Sequence, residues 1–186
     1  SGDATHFSYL PDFVRKVSET REILLLIERG EAPPVHAVGT AHISLVRSRG
    51  IFRFFEIQWR LLAARLHGYR DFYVHYSFFS AFSVSIMVKI FGGRVFYWNC
   101  GEPWKYKRNF FREIFEQATY KLVTYLVTGT PGMADAYARH YRISRQKIKV
   151  MPNWIDVKNF QFLISNFQKE ARKIRADLHI TADAKV

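Results

Sequence analysis

The chain has 186 residues, 48% of them hydrophobic and 17% aromatic, and 28 Lys and Arg against 16 Asp and Glu give it a net charge of +12. That length holds one well-buried domain and is too short for two full ones, and the composition excludes a disordered chain, as the lack of any apolar run of roughly 18 residues excludes a membrane span. The single cysteine, Cys100, excludes an internal disulfide or a cysteine metal cluster and favours a reducing compartment, the cytoplasm. So large an excess of cations calls for a phosphate-bearing partner: nucleic acid, an anionic membrane or a phosphorylated substrate. The start, Ser1-Gly2-Asp3-Ala4, has neither the basic nor the apolar region of a secretory signal, and a beginning without Met suggests a truncated or processed chain.

Phe7, Leu10, Val14 and Val17 recur at three-to-four spacing, which predicts an amphipathic helix with Pro11 in its first turn. Ile23 to Ile27 is a continuous apolar run bounded by charges and then by Gly30, Pro33 and Pro34, the pattern of a strand buried on both faces of a parallel sheet. Val35 to Val46 reads as a short strand and a loop. Ile51 to Leu66 predicts a helix whose apolar stripe is Ile51, Phe54, Phe55, Leu61, Leu62 and Leu66, interrupted by Arg53, Arg60 and Arg65, with Phe52 and Trp59 near its edge. Asp71 to Tyr76 predicts a strand, Ala81 to Phe91 a helix ended by Gly92-Gly93, and Arg94 to Asn99 an aromatic strand opening into Cys100-Gly101-Glu102-Pro103-Trp104. Phe110 to Val123 predicts a further helix. Tyr125 onward is an apolar run closed by Gly129-Thr130-Pro131-Gly132, with helical sequence from Met133 to Tyr141. Ile148 and Val150 lie on one face of a last strand, which stops at Met151 because Pro152 cannot donate to a ladder. Phe162 to Lys173 again reads as helix. Regular alternation with short connections predicts an α/β fold, a Rossmann-like parallel sheet with helices on both faces and right-handed crossovers.

The stretch from Val123 to Phe160, a strand and helix joined by a small-residue turn and followed by Pro152, Asn153, Ile155, Asp156 and Phe160, resembles the end of the N-terminal domain of family-4 glycosyltransferases. Those enzymes have two facing Rossmann-like domains, the GT-B fold. Trp154 stands where that family's motif usually has glycine. The resemblance implies that residues 1–160 are the N-terminal, acceptor-side domain without its first strand, and that residues 161–186 are a linker helix leading to a donor-binding domain not included in the chain. It implies a retaining hexosyltransferase that moves a sugar from a nucleotide-sugar co-substrate to a glycan or lipid-linked acceptor. No tightly bound cofactor and no metal are expected, and a chain lacking the donor domain is expected to be inactive alone.

In an open parallel sheet ligands bind beyond the carboxyl ends of the strands, which selects three loops: His75-Tyr76-Ser77, Asn99 to Trp104, and Thr128 to Gly132. His75 has a position similar to a common histidine of the family near the interdomain cleft; the alternative is a half-buried strand histidine bonded to a backbone carbonyl, the more usual state of a lone His. Glu102, ringed by Lys105, Lys107 and Arg108, suits binding or activating an acceptor hydroxyl and is the candidate catalytic residue. The alternative is a loop carboxylate paired with its lysines. In the family this loop often carries a histidine, absent here. Trp104 suits stacking on a sugar ring or anchoring the loop. Tyr76, Ser77, Asn99 and Lys105 complete the candidate acceptor site, and the Lys105 to Arg112 cations suit a phosphate of the acceptor. Gly2, ahead of the first helix, suits phosphate binding or is a loose end. By the resemblance Asn153 and Asp156 lie at the interdomain hinge, and as residues they suit turn capping.

Two other readings stay open. Arg47, Arg49, Arg53, Arg60, Arg65 and Arg70 with Phe52 and Trp59 suit a helix lying on an anionic membrane surface, which would place the protein peripherally at the inner face; the alternative is a core-packed helix with a solvated basic face. A nucleic-acid-binding module would use the same charge and aromatics, but the aromatics fall mainly where a core needs them and no nucleic-acid motif is present.

Overall fold

The computed structural model describes residues 9–28, 38–106, 109–152 and 173. The chain divides into two units, Ser1–Asn153 and Trp154–Val186. The first holds every element below; of the second, only Lys173 is described, helical and exposed.

The elements run α1 (Tyr9–Ser18), β1 (Leu24–Ile27), β2 (His42–Leu45), α2 (Gly50–Leu66), β3 (Asp71–His75), α3 (Phe78–Phe91), β4 (Arg94–Trp98), α4 (Phe110–Leu122), β5 (Tyr125–Thr128), α5 (Pro131–Tyr141) and β6 (Ile148–Val150), with short 3₁₀ turns at Pro103–Lys105 and Arg145–Lys147. The expected alternation is present. β1 pairs with β2, and β3-β4-β5-β6 form a second sheet in that order, every pairing parallel. The two sheets run in the same direction. Before the strands, Tyr69 Oη donates to Glu22 (2.9 Å); after them, the Ser77 hydroxyl lies 3.1 Å from the Glu28 carboxylate, which Ser80 also contacts.

Alternation along the strands assigns the two faces. Phe72, Val74, Val95 and Tyr97 join Ile57, Leu61, Val84, Val88 and Tyr120 in the main core beneath α2, α3 and α4. Leu24 and Leu26 pack toward that core, whereas Ile23 and Leu25 pack with Val14 of α1, Val38 and Ala41 in a smaller one. Helices therefore lie on both faces, α2, α3 and α4 on one and α1 on the other beside β1 and β2, because successive strand side chains point to opposite sides. This is an α/β domain of Rossmann-like build.

Three expectations need correction. β1 is half-buried at all four positions and not enclosed on both faces. Among the described residues its second edge carries no strand, and neither does the corresponding edge of β3. The core stripe of α2 is Ile57, Leu61 and Ala64, while Ile51, Phe54, Phe55 and Leu66 are exposed. Small Ala64 lets the helix approach the sheet; the larger residues, placed inside on spacing alone, face outward. Finally, α3 begins at Phe78, three residues earlier than its predicted start.

Candidate functional site

Parallel pairing brings the carboxyl ends of β3, β4 and β5 to one edge, and backbone bonds continue the ladder into the loops. Tyr76 N donates to the Trp98 carbonyl (3.1 Å), and Asn99 N to that of Val127 (2.9 Å). All three predicted loops thus share that edge.

The first loop is built from rings. His75 and Trp98 are register partners, and their rings stack at 4.4 Å with 7° between planes. Tyr76, held at a positive φ of 58°, turns edge-on to both, at 4.9 and 5.0 Å. Burial pulls the His75 pKa down to about 4, so the imidazole is neutral at physiological pH. Trp98 is 2% exposed, and among the described residues its Nε1 has no hydrogen-bond acceptor. A buried donor in that state favours an incoming oxygen. Ser77 faces inward: its hydroxyl is 3.0 Å from that of Ser80 as well as bonded to Glu28.

The second loop rests on a cage of tyrosines. Asn99 Nδ2 donates to the hydroxyls of Tyr97 (3.3 Å) and Tyr120 (3.1 Å), while its Oδ1 accepts from Gly101 N (2.9 Å). Tyr137 Oη donates to the Gly101 carbonyl (2.8 Å). Burial pushes both the Tyr120 and Tyr137 hydroxyls well above the usual phenol range, so they act as fixed neutral dipoles. Asn99, placed by the sequence among acceptor-binding residues, has both amide hydrogens engaged inside the protein and orients the loop.

Beyond that anchor the loop opens outward. Glu102 pairs with Lys105 at 2.6 Å, both partly exposed. The loop therefore holds the lysine-paired carboxylate of the alternative reading, in a position still open to a ligand. Trp104 sits edge-on to Tyr137 (5.0 Å) and tilted against His140 (5.4 Å). Its ring, with Ala136, Arg139 and His140, lines a shallow open depression. Arg139 and His140 escaped the sequence reading because they lie on a helix, 35 residues or so beyond the loop they face.

In the third loop the Thr130 hydroxyl caps α5 by accepting from Met133 N (3.2 Å), with Pro131 in the first helical turn, as N-terminal positions favour. Burial raises the Cys100 pKa, which keeps the thiol protonated and unsuited to nucleophilic work. Lys107, Arg108, Gly2, Asn153 and Asp156 lie outside the described residues. Among the described residues no cluster of three His, Cys, Asp or Glu could hold a metal, and no helix is long and apolar enough to cross a membrane.

No protein-family model matches the chain, and no curated protein matches it.

Proposed function

We propose that this chain is the acceptor-side domain of a retaining glycosyltransferase, which moves a sugar from a nucleotide-sugar co-substrate to a glycan or lipid-linked acceptor. The observation that carries the reading is the β4 loop. A tyrosine cage fixes it at the carboxyl edge, and it presents an aromatic face, Trp104, beside an exposed Glu102–Lys105 pair and the Arg139 and His140 side chains. Aromatic faces flanked by a carboxylate and cations suit sugars, whose C–H faces stack while their hydroxyls take hydrogen bonds. The Pro152 to Phe160 pattern adds the family resemblance.

In this reading Trp104 stacks on the acceptor sugar, and Glu102 accepts a hydrogen bond from the hydroxyl that is to be glycosylated. Lys105 and Arg139 receive a phosphate of a lipid-linked acceptor. Neutral His75 and the free Trp98 N–H sit deeper in the same edge, one able to accept and the other to donate. In transfer the bond between the sugar C1 and the donor phosphate breaks as C1 bonds to the acceptor oxygen, whose proton is released. The donor is held mainly by a second domain, no resident cofactor or metal takes part, and the protein works in the cytoplasm.

Saturation-transfer NMR on the whole chain, with methyl hexosides, a short-chain prenyl-phosphate sugar and a poly-dT oligonucleotide as probes, tests this reading. Saccharide binding that weakens at least about tenfold in Trp104→Ala and in the surface variant Arg139→Ala, but survives in Trp104→Phe, is the expected result. Absence of saccharide binding, or oligonucleotide binding that collapses with salt, would overturn it in favour of a nucleic-acid module.

A further inference from the structure

α2 is apolar on two opposite sides. One side, Ile57, Leu61 and Ala64, meets the core. On the other, Phe52, Phe55, Trp59, Leu62 and Leu66 follow one another at intervals of three and four residues, which sets them in one row along the whole helix. Phe52 is 71% exposed, Phe55 60%, Trp59 69% and Leu66 71%, with Leu62 half-buried between them. Side chains of this size at that exposure leave roughly 600 Å² of apolar surface open on a single helix. That is the upper end of what a monomer shows in one patch, where such patches are commonly functional.

The charged side chains of α2 are engaged inside the chain. Arg53 Nε donates to the Ser48 carbonyl (3.3 Å), Arg60 bonds Glu56 (2.6 Å) and the Ser44 hydroxyl, and Arg65 donates to the carbonyls of Phe91 (2.5 Å) and Gly92 (3.0 Å). Glu56 also accepts from the amides of Arg47 and Ser48. The exposed cations stand at the two ends, Arg47 and Arg49 ahead of the helix and Arg70 beyond it. An acidic partner or an anionic bilayer needs cations along the row, and those of α2 are already bonded to Glu56, a hydroxyl and carbonyls.

We propose that this row is a self-association surface, on which α2 of a second copy packs across a two-fold axis. The spacing of three and four is that of a seam between two helices. Antiparallel alignment sets the two helix dipoles head to tail and places Trp59, midway along the row, beside its counterpart at the axis. About 1,200 Å² of apolar surface then leaves water across the pair, which reaches the lower bound of a stable interface. Arg47 and Arg49 of one copy come near Arg70 of the other, so pairing tightens as salt screens these ends. The inference stands on α2 alone and does not need glycosyl transfer.

Sedimentation velocity on the whole chain, from micromolar to submillimolar concentration at low and at high salt, tests the proposal. Expected are a reversible monomer–dimer equilibrium that moves toward dimer at high salt, and a dissociation constant raised at least about tenfold in Trp59→Lys and in Phe55→Ser. Phe111→Ser, at an apolar position of α4 that is just as exposed, should dimerise like wild type. Both α2 variants change side chains outside the core, and circular dichroism separates lost pairing from lost fold. A monomer at every concentration and salt, an equal loss in Phe111→Ser, or association that continues past the dimer would overturn the proposal. So would a monomer that floats with phosphatidylglycerol vesicles and loses them in Phe55→Ser, which would assign the row to a bilayer.

Discussion

His75 joins the fold's stability to the chemistry of the site. Its ring lies flat on Trp98, and burial keeps it neutral until the pH falls to about 4. An unfolded chain protonates the same residue near pH 6.5. Between these values the unfolded state binds more protons than the folded one, so stability falls as pH is lowered from about 6.5 to about 4, and this residue has no effect above that window. Glu56 acts in a different range: the amide of Ser48, with Arg60 and the Arg47 amide, holds its pKa near 2, so its contribution is present above the usual carboxylate range and is lost as pH drops toward 2. Urea midpoints measured at pH 7, 6, 5 and 4.5 should therefore decline more gently for His75→Gln than for wild type. Parallel declines would mean that His75 is not held neutral. Above pH 6.5 the same neutrality makes the ring an acceptor for a hydroxyl rather than a proton donor.

The turn from α3 into β4 shows how far an element boundary can be read from sequence. Gly92-Gly93 marks the end of α3, and the structure shows why small residues stand there. Both have positive φ, and a Cβ on Gly93 would lie 2.6 Å from the Arg70 carbonyl oxygen, which accepts the Arg94 N–H at 2.8 Å. Gly93→Ala should cost about 1–3 kcal/mol in backbone strain alone, with a further loss as the β3–β4 ladder start is pushed apart. Gly132→Ala, in the open first turn of α5, should be neutral or stabilising by up to about 1 kcal/mol. Chemical denaturation of the two variants checks both signs. Other boundaries were less legible: Asn109 accepts from Phe111 N at 3.1 Å to cap α4, a role the sequence reading does not assign, and Thr130-Pro131 opens α5 two residues before the expected start at Met133, because the residues read as a turn are its cap and first turn. The facing of α2 was not legible, because a helix with apolar residues on two sides gives no period that says which side meets the sheet. Nor was the tyrosine cage, since Tyr97, Tyr120, Tyr137 and Tyr141 belong to three elements that only tertiary packing brings together.

At the scale of the molecule, the two sheets differ in what holds them. β4 and β5 are each paired on both edges and rest on the main core, where Val95, Tyr97 and Leu126 are fully buried. β1 and β2 pair with each other alone among the described residues, over a core of Val14, Val38 and Ala41. Apart from Leu24 and Leu26, which pack toward the main core, their links to β3 and α3 are side-chain bonds: Tyr69 to Glu22, and Ser77 and Ser80 to Glu28. Local opening follows buried apolar contact and backbone pairing, so the smaller sheet should open without the larger one. Native-state hydrogen exchange should find the amides of β1 and β2 exchanging at least about tenfold faster than those of β4 and β5, a gap of roughly 1.4 kcal/mol or more in opening free energy. Glu28→Gln should widen that gap, because it weakens the bond between the end of β1 and the start of α3 while leaving the larger sheet untouched. Uniform protection across both sheets would instead make them one cooperative unit, with the side-chain bridges as strong as a strand pairing. If the gap is found, the β3, β4 and β5 loops of the candidate site stand on the more rigid part of the molecule, and the β1–β2 side is the part that yields first when a ligand approaches.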